Sequence, residues 1–179
     1  MDGDDRSVRA ERFEALYRAH VMDVRRYCAR RAAPDAAEDA VAETFAVLWR
    51  RLDEAPQDPR LWLFGVARRV LANHARGERR RLALHERLLE RLPAATEAPR
   101  ADGTDGAVMA ALGRLRPAER EALMLIHWDG LTPAEAAMVA GCTTVAMRSR
   151  LHRARRRVLR AMTATDVTDP IRETPCERT

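Results

Sequence analysis

Apolar residues at Phe13, Leu16, Tyr17, Val21, Val24, Tyr27 and Cys28 recur at the short spacing that lines them along one side of a helix. Pro34 closes that segment, because a proline ring cannot continue a helix interior. A second helix is predicted from Asp35, a good N-cap, through Ala37, Val41, Phe45, Leu48 and Leu52. The acidic, proline-bracketed stretch Asp53-Glu54-Ala55-Pro56-Gln57-Asp58-Pro59 ends it. A third pattern, Leu61, Trp62, Phe64, Val66, Val70 and Leu71, continues into an arginine-rich stretch, and Leu82, Leu88, Leu89 and Leu92 extend it beyond Gly77. Trp62 and Phe64 could form a stacking platform for nucleobases, but aromatics in an apolar run at a helix start are more simply explained by burial. Nowhere does the chain show the alternation of a strand.

Pro93 to Asp105 has proline, glycine, alanine and charge but no periodicity, the composition of a flexible linker. Beyond it, a helix is predicted around Ala107 to Leu115 and another from Pro117. Thr132-Pro133-Ala134-Glu135 then places threonine at an N-cap, proline at the first helical position and glutamate at the third, a capping box. The helix it opens must be short, because Gly141 supplies a left-handed end. Thr143 or Thr144 caps a last helix running to about Met162, and the tail after it has too few large apolar residues to offset its ordering entropy. The reading is an all-α chain of two small helical domains, residues 7–92 and 106–162, with a linker at 93–105 and a disordered tail at 163–179.

Charge sharpens the picture. The 179 residues carry 32 basic side chains, every one arginine, against 27 acids, for a net charge of +5. From Arg148 to Arg160 there are seven Arg and no acid, whereas Pro34 to Glu54 holds Asp35, Glu38, Asp39, Glu43, Asp53 and Glu54 against Arg50 and Arg51. One face is suited to a polyanion, the other to a basic partner. Cys28, Cys142 and Cys176 are far apart and without CxxC spacing, so neither a disulfide framework nor a zinc site is expected. His74, His85 and His127 have no partner at ligand or triad spacing, and no nucleotide-binding or paired-carboxylate pattern occurs. No catalytic residue, metal or cofactor is expected. With no apolar run of membrane length and an acidic N-terminus unlike a signal peptide, the expectation is a soluble, cytoplasmic protein.

In the last helix Met147, Leu151, Ala154, Val158 and Ala161 form one apolar stripe, so Arg148, Ser149, His152, Arg153, Arg155 and Arg156 face elsewhere. A short helix, a glycine turn and a basic helix together read as a helix-turn-helix whose second member enters the major groove. Arg148, Ser149, His152 and Arg153 are the candidates for base edges, and Thr144, Arg155 and Arg156 complete the DNA-binding set. The plainer alternative is a solvated helical bundle. Against it, like charges along one helix repel one another unless a polyanion relieves them.

Ser149-Arg150-Leu151-His152-Arg153-Ala154-Arg155 resembles region 4.2 of the extracytoplasmic-function (group IV) sigma factors of bacterial RNA polymerase. Independently, Ala37-Glu38-Asp39-Ala40-Val41-Ala42-Glu43-Thr44-Phe45 with Leu48-Trp49, and Pro59-Arg60-Leu61-Trp62-Leu63-Phe64-Gly65-Val66-Ala67-Arg68, resemble region 2 of the same family. The resemblance implies recognition of a promoter's -35 element by the second domain and of its -10 element by the first, with core RNA polymerase as partner. It implies that Glu38, Asp39 and Glu43 meet the clamp helices of the largest catalytic subunit, and that the flap of the second-largest subunit is a further contact. Taken by themselves, Glu38 and Asp39 are equally explained as favourable charge in the first turn of a helix. By resemblance, the stretch Asp53 to Arg60 and the next helix capture a flipped base of the melted -10 strand, with Arg60, Arg68, Arg69, Asn73 and Arg76 as the residues concerned. Cationic grooves with pockets for unstacked bases are how single strands are held. An anti-sigma factor is a partner the resemblance leaves open. This chain departs from the family pattern at Ala42, where glutamine is usual, and at Val145-Ala146, where Gly-Thr is usual. Two rival readings fit the same residues: a free-standing regulator that binds duplex DNA as a dimer, and an adaptor or anti-sigma-like protein with negligible DNA affinity.

Overall fold

The computed structural model describes residues 2–88 and 112–166. The expected linker at 93–105, Leu89 and Leu92, most of the helix expected at Ala107 to Leu115, and the tail beyond residue 166 lie outside the described residues. Among the described residues there are six α-helices, the end of a further one at residues 112–113, and no strand: α1 (Asp2–Ala29), α2 (Pro34–Arg50), α3 (Arg60–Leu88), α4 (Pro117–His127), α5 (Pro133–Ala140) and α6 (Thr144–Asp166). A single 3-10 turn, Leu52–Glu54, lies between α2 and α3. The all-α expectation therefore holds.

Some boundaries differ from the pattern's. Helix α1 begins well before the first apolar residue of its stripe. Asp35 is not the N-cap of α2: Ala33 holds that place with extended backbone, Pro34 is the first helical residue, and Asp35 sits in the first turn. Proline is preorganised for that position and has no N–H to leave unsatisfied, so it displaces the aspartate by one step. The last helix runs past Met162 to Asp166, four residues into what was expected to be disordered tail.

Grouped by proximity, the chain forms two units, Met1–Ala95 with Ala134–Thr143, and Thr96–Pro133 with Thr144–Thr179. In the first, α1, α2 and α3 pack on one another. Val24, Tyr27 and Cys28 from α1, Val41, Phe45 and Leu48 from α2, and Leu63, Phe64 and Val70 from α3 are buried between them. Tyr27 and Phe64 stack with ring centroids 4.9 Å apart, and Tyr17 meets Phe45 edge-on at 4.7 Å. Phe64 is thus core, as its place in the sequence implied. Trp62 is only half-buried. Arg9 holds the loop after α2 by pairing with Asp53 and donating to the Trp49 carbonyl at 2.9 Å.

In the second unit α4 and α6 pack together. Leu112, Leu115 and Ala154 form its core cluster, with Leu123 and Val158 against it. Arg120 donates from Nε to the Leu112 carbonyl at 2.8 Å and from Nη2 to the Gly113 carbonyl, satisfying carbonyls at the helix end before α4.

Candidate nucleic-acid and protein interfaces

Helix α6 buries Met147, Leu151 and Ala154, three of the five residues of the predicted stripe, while Val158 and Ala161 are half-buried. Arg148, His152, Arg153, Arg155, Arg156 and Arg160 are exposed. Thr144 and Ser149 are half-buried at the same end. The arginines divide by what they touch. Arg155 reaches His127 on α4, Nη2 to Nε2 at 3.3 Å. Arg153 donates from Nη1 to Ser149 Oγ at 2.8 Å and pairs through Nε with Glu119 at 3.4 Å. Arg157, one turn after Arg153 on the helix, donates to the same Glu119 at 2.7 Å. Arg148 and Arg156 have no ion-pair partner among the described residues.

Two residues of this surface lay outside the set drawn from the sequence. Glu119 is buried at 2% exposure although it carries a charge. No local pattern marks it, because its partners come from a helix remote in the chain. Val145 is 76% exposed in the first turn of α6. Its signal was visible as the departure from the usual glycine, but its exposure was not.

On α3, Arg69, Asn73 and Arg76 are exposed along one side and Arg68 is half-buried. The Arg76 guanidinium donates to the Asn73 side-chain oxygen, so two of these residues act as a pair. Arg60 is placed differently. Its Nε pairs with Asp23 of α1 at 3.3 Å and its guanidinium lies 5.2 Å from the Phe64 ring centre. Its backbone N–H donates to Asp58 Oδ1 at 3.2 Å, which fixes the entry into α3. Arg60 therefore closes the loop onto the helix as well as standing near it. Pro56, Asp58, Leu61, Trp62, Gly65, Val66 and Arg69, with Met138 of α5, line a pocket beside this loop.

On α2, Glu38, Asp39 and Glu43 are all exposed. Glu38 pairs with Arg25 of α1 at 2.9 Å, and this hydrogen bond, with the carboxylate's charge, raises the arginine's pKa. Glu43 Oε2 lies 2.9 Å from Nε2 of His74 on α3. Asp39 has no ion-pair partner among the described residues. Ala42 is exposed beside Glu43. Among the described residues no group of His, Cys, Asp and Glu could hold a metal ion, and no helix is long and apolar enough to cross a membrane.

Residues 16–81 match the Sigma-70 region 2 family and residues 105–158 match Sigma-70, region 4. The probable RNA polymerase sigma-C factor of Mycobacterium bovis is 32% identical to the chain over 172 residues, covering 87% of the chain and 85% of that protein. The ECF RNA polymerase sigma factor BldN of Streptomyces coelicolor is 31% identical over 163 residues, covering 86% of the chain and 61% of BldN. Among solved structures, the sigma factor RpoE, co-crystallised with the anti-sigma factor NepR from Bartonella quintana, matches with a TM-score of 0.67 at 24% identity over 84% of the chain and 96% of that structure.

Proposed function

Since the chain belongs to the sigma-70 family and is a sigma factor of the extracytoplasmic-function type, we propose a division of labour among its surfaces in directing promoter-specific transcription. The segment 106–162 reads the -35 element through α6. Arg148, Ser149, His152 and Arg153 meet base edges, and Thr144, Arg155 and Arg156 hold the phosphate backbone. Val145 joins the base-reading group, because a branched apolar side chain standing in solvent at this end of the helix suits a thymine methyl. The observation that carries this reading is the exposed arginine face of α6, free of acids from Arg148 to Arg160 and opposite a buried apolar stripe.

Residues 7–92 bind core polymerase and the melted -10 strand. Arg69, Asn73 and Arg76 hold the strand's backbone, Arg68 supports them, and the pocket beside Trp62 receives an unstacked base. Arg60, whose backbone N–H holds Asp58 of that pocket, also lends a cation to the strand. Asp39, with Glu38 and Glu43, meets basic residues of the largest subunit, and the flap of the second-largest subunit meets the second domain. The protein carries out no chemistry of its own and works in the cytoplasm. RpoE of Bartonella quintana is held by an anti-sigma factor, and we extend that kind of partner to this chain.

The test is transcription in vitro from a panel of promoter fragments, with bacterial core polymerase and with or without this protein. Specific initiation only on its addition is the expected result. Failure to bind core polymerase, with retention of duplex DNA binding, would return the chain to the class of free-standing regulators.

A further inference from the structure

Glu119 lies in the first turn of α4 with its side chain only 3% exposed, where a solvated helix would keep a carboxylate in water. Removing a carboxylate from water is unfavourable unless cations and donors replace the lost hydration. Two arginines of α6 do so. Arg157 Nη1 donates to Oε2 at 2.7 Å, and Arg153 Nε stands 3.4 Å from Oε1. Their side chains differ in exposure, 38% for Arg157 and 52% for Arg153, and so do their other contacts. Arg157 makes the shorter, more enclosed contact. Arg153 reaches outward, with Nη1 donating to Ser149 Oγ at 2.8 Å.

The result is a connected set of side chains: buried Glu119, exposed Arg153 and half-buried Ser149. A guanidinium is planar, so the Nη1 hydrogen bond to Ser149, together with the Glu119 charge 3.4 Å from Nε, restricts the plane of the whole group. The remaining N–H donors then point in a set direction before any DNA arrives. A side chain already held in its working geometry loses less freedom on binding than one that must be ordered then.

We propose that Glu119 is a positioning residue for promoter selection: acting through Arg153, it sets the direction in which the arginine and Ser149 present donors to the -35 element. This rests on the reading of α6 as the -35 helix. Arg157 serves the fold by neutralising the carboxylate and is not part of the DNA contact.

The experiment uses holoenzyme reconstituted with full-length protein and reads the ratio of binding to a cognate promoter over the same fragment with its -35 element scrambled. Glu119→Gln keeps the shape and removes the charge, and is expected to lower that ratio about tenfold, the size of one lost bidentate base contact. Arg153→Lys, which keeps a cation but not the fork, gives a similar loss, and the double variant is no worse than Arg153→Lys alone. Arg157→Gln lowers the melting temperature but leaves the ratio within about twofold, well short of one base contact. Should Glu119→Gln fail to fold, Glu119→Asp, which keeps the charge but shortens the reach, is expected to lower the ratio likewise. Equal weakening of Glu119→Gln on cognate and scrambled fragments would make the residue purely structural and overturn the proposal. A wild-type protein without any -35 preference would instead overturn the reading of α6, and the proposal with it.

Discussion

Arg148 and Arg153 stand on the same basic helix, yet only Arg153 is tied to the protein interior. Arg148→Ala is expected to cut discrimination of the -35 element by about 1–3 kcal/mol per lost base contact while leaving the denaturation midpoint unchanged. Equal weakening on every DNA sequence would reassign Arg148 to a phosphate. Arg153→Ala is expected to lower the midpoint as well, because a buried carboxylate then keeps one cation in place of two. Helical periodicity in the sequence ranks these arginines alike, since it reports the face a residue occupies and nothing about a partner on another helix. Arg60 stood as a strand-binding cation by resemblance alone, and its pairing with Asp23 of α1, which ties the loop to the bundle, carries no mark in the local sequence. Cys28 shows burial acting on chemistry. Its thiol is pushed up to about 11 by desolvation. The folded-state value lies above the thiol's ordinary 9.0, so the stability gained from the neutral thiol is full below pH 9 and lost as pH rises through about 11. Mass-spectrometric mapping of alkylation at pH 8 is expected to find Cys28 protected in the native protein and Cys142, which is half-buried, modified faster.

At the scale of elements, α2 and the turn between α5 and α6 are the most exposed to test. Glu38 and Glu43 are engaged with α1 and α3, so replacing either alters the bundle as well as its surface. Asp39 is not, and Asp39→Arg is expected to weaken binding to core polymerase while circular dichroism and melting stay as in the wild type. Unchanged binding would remove Asp39 from the interface. The turn is a Schellman end: the Cys142 N–H donates to the Ala137 carbonyl at 3.0 Å and the Gly141 N–H to the Met138 carbonyl at 3.2 Å. Gly141 has φ of +64°. Gly141→Ala is therefore expected to destabilise the fold by about 1 kcal/mol, measured by chemical denaturation, from strain in the left-handed region and with no clash. These features were legible because turn chemistry is local: glycine after the short helix and proline at the starts of α4 and α5 stand where the structure uses them. The start of α1 and the end of α6 were not, because the polar residues there carry no periodic mark. Trp62 was half legible, since an apolar run announces burial but not which aromatic lies at its edge.

For the whole molecule, the two family-like segments and their order along the chain were readable, because each rests on a run of adjacent residues. The grouping of Ala134–Thr143 with the first unit was not, since proximity between distant segments leaves no trace in periodicity. Such small helical units bury a modest fraction of their surface, so a bound partner contributes noticeably to their stability. The exposed arginines of α6 give that statement an unusual form. Added electrolyte shields them from one another and so steadies the free protein, yet the same ions compete for the phosphates and weaken the DNA complex. Ionic strength thus acts with opposite sign on the protein alone and on the protein at its promoter: melting temperature climbs with salt in one sample while occupancy falls in the other. A cell that concentrates its electrolytes would shift this protein toward a durable but unbound reserve, and dilution would return it to DNA.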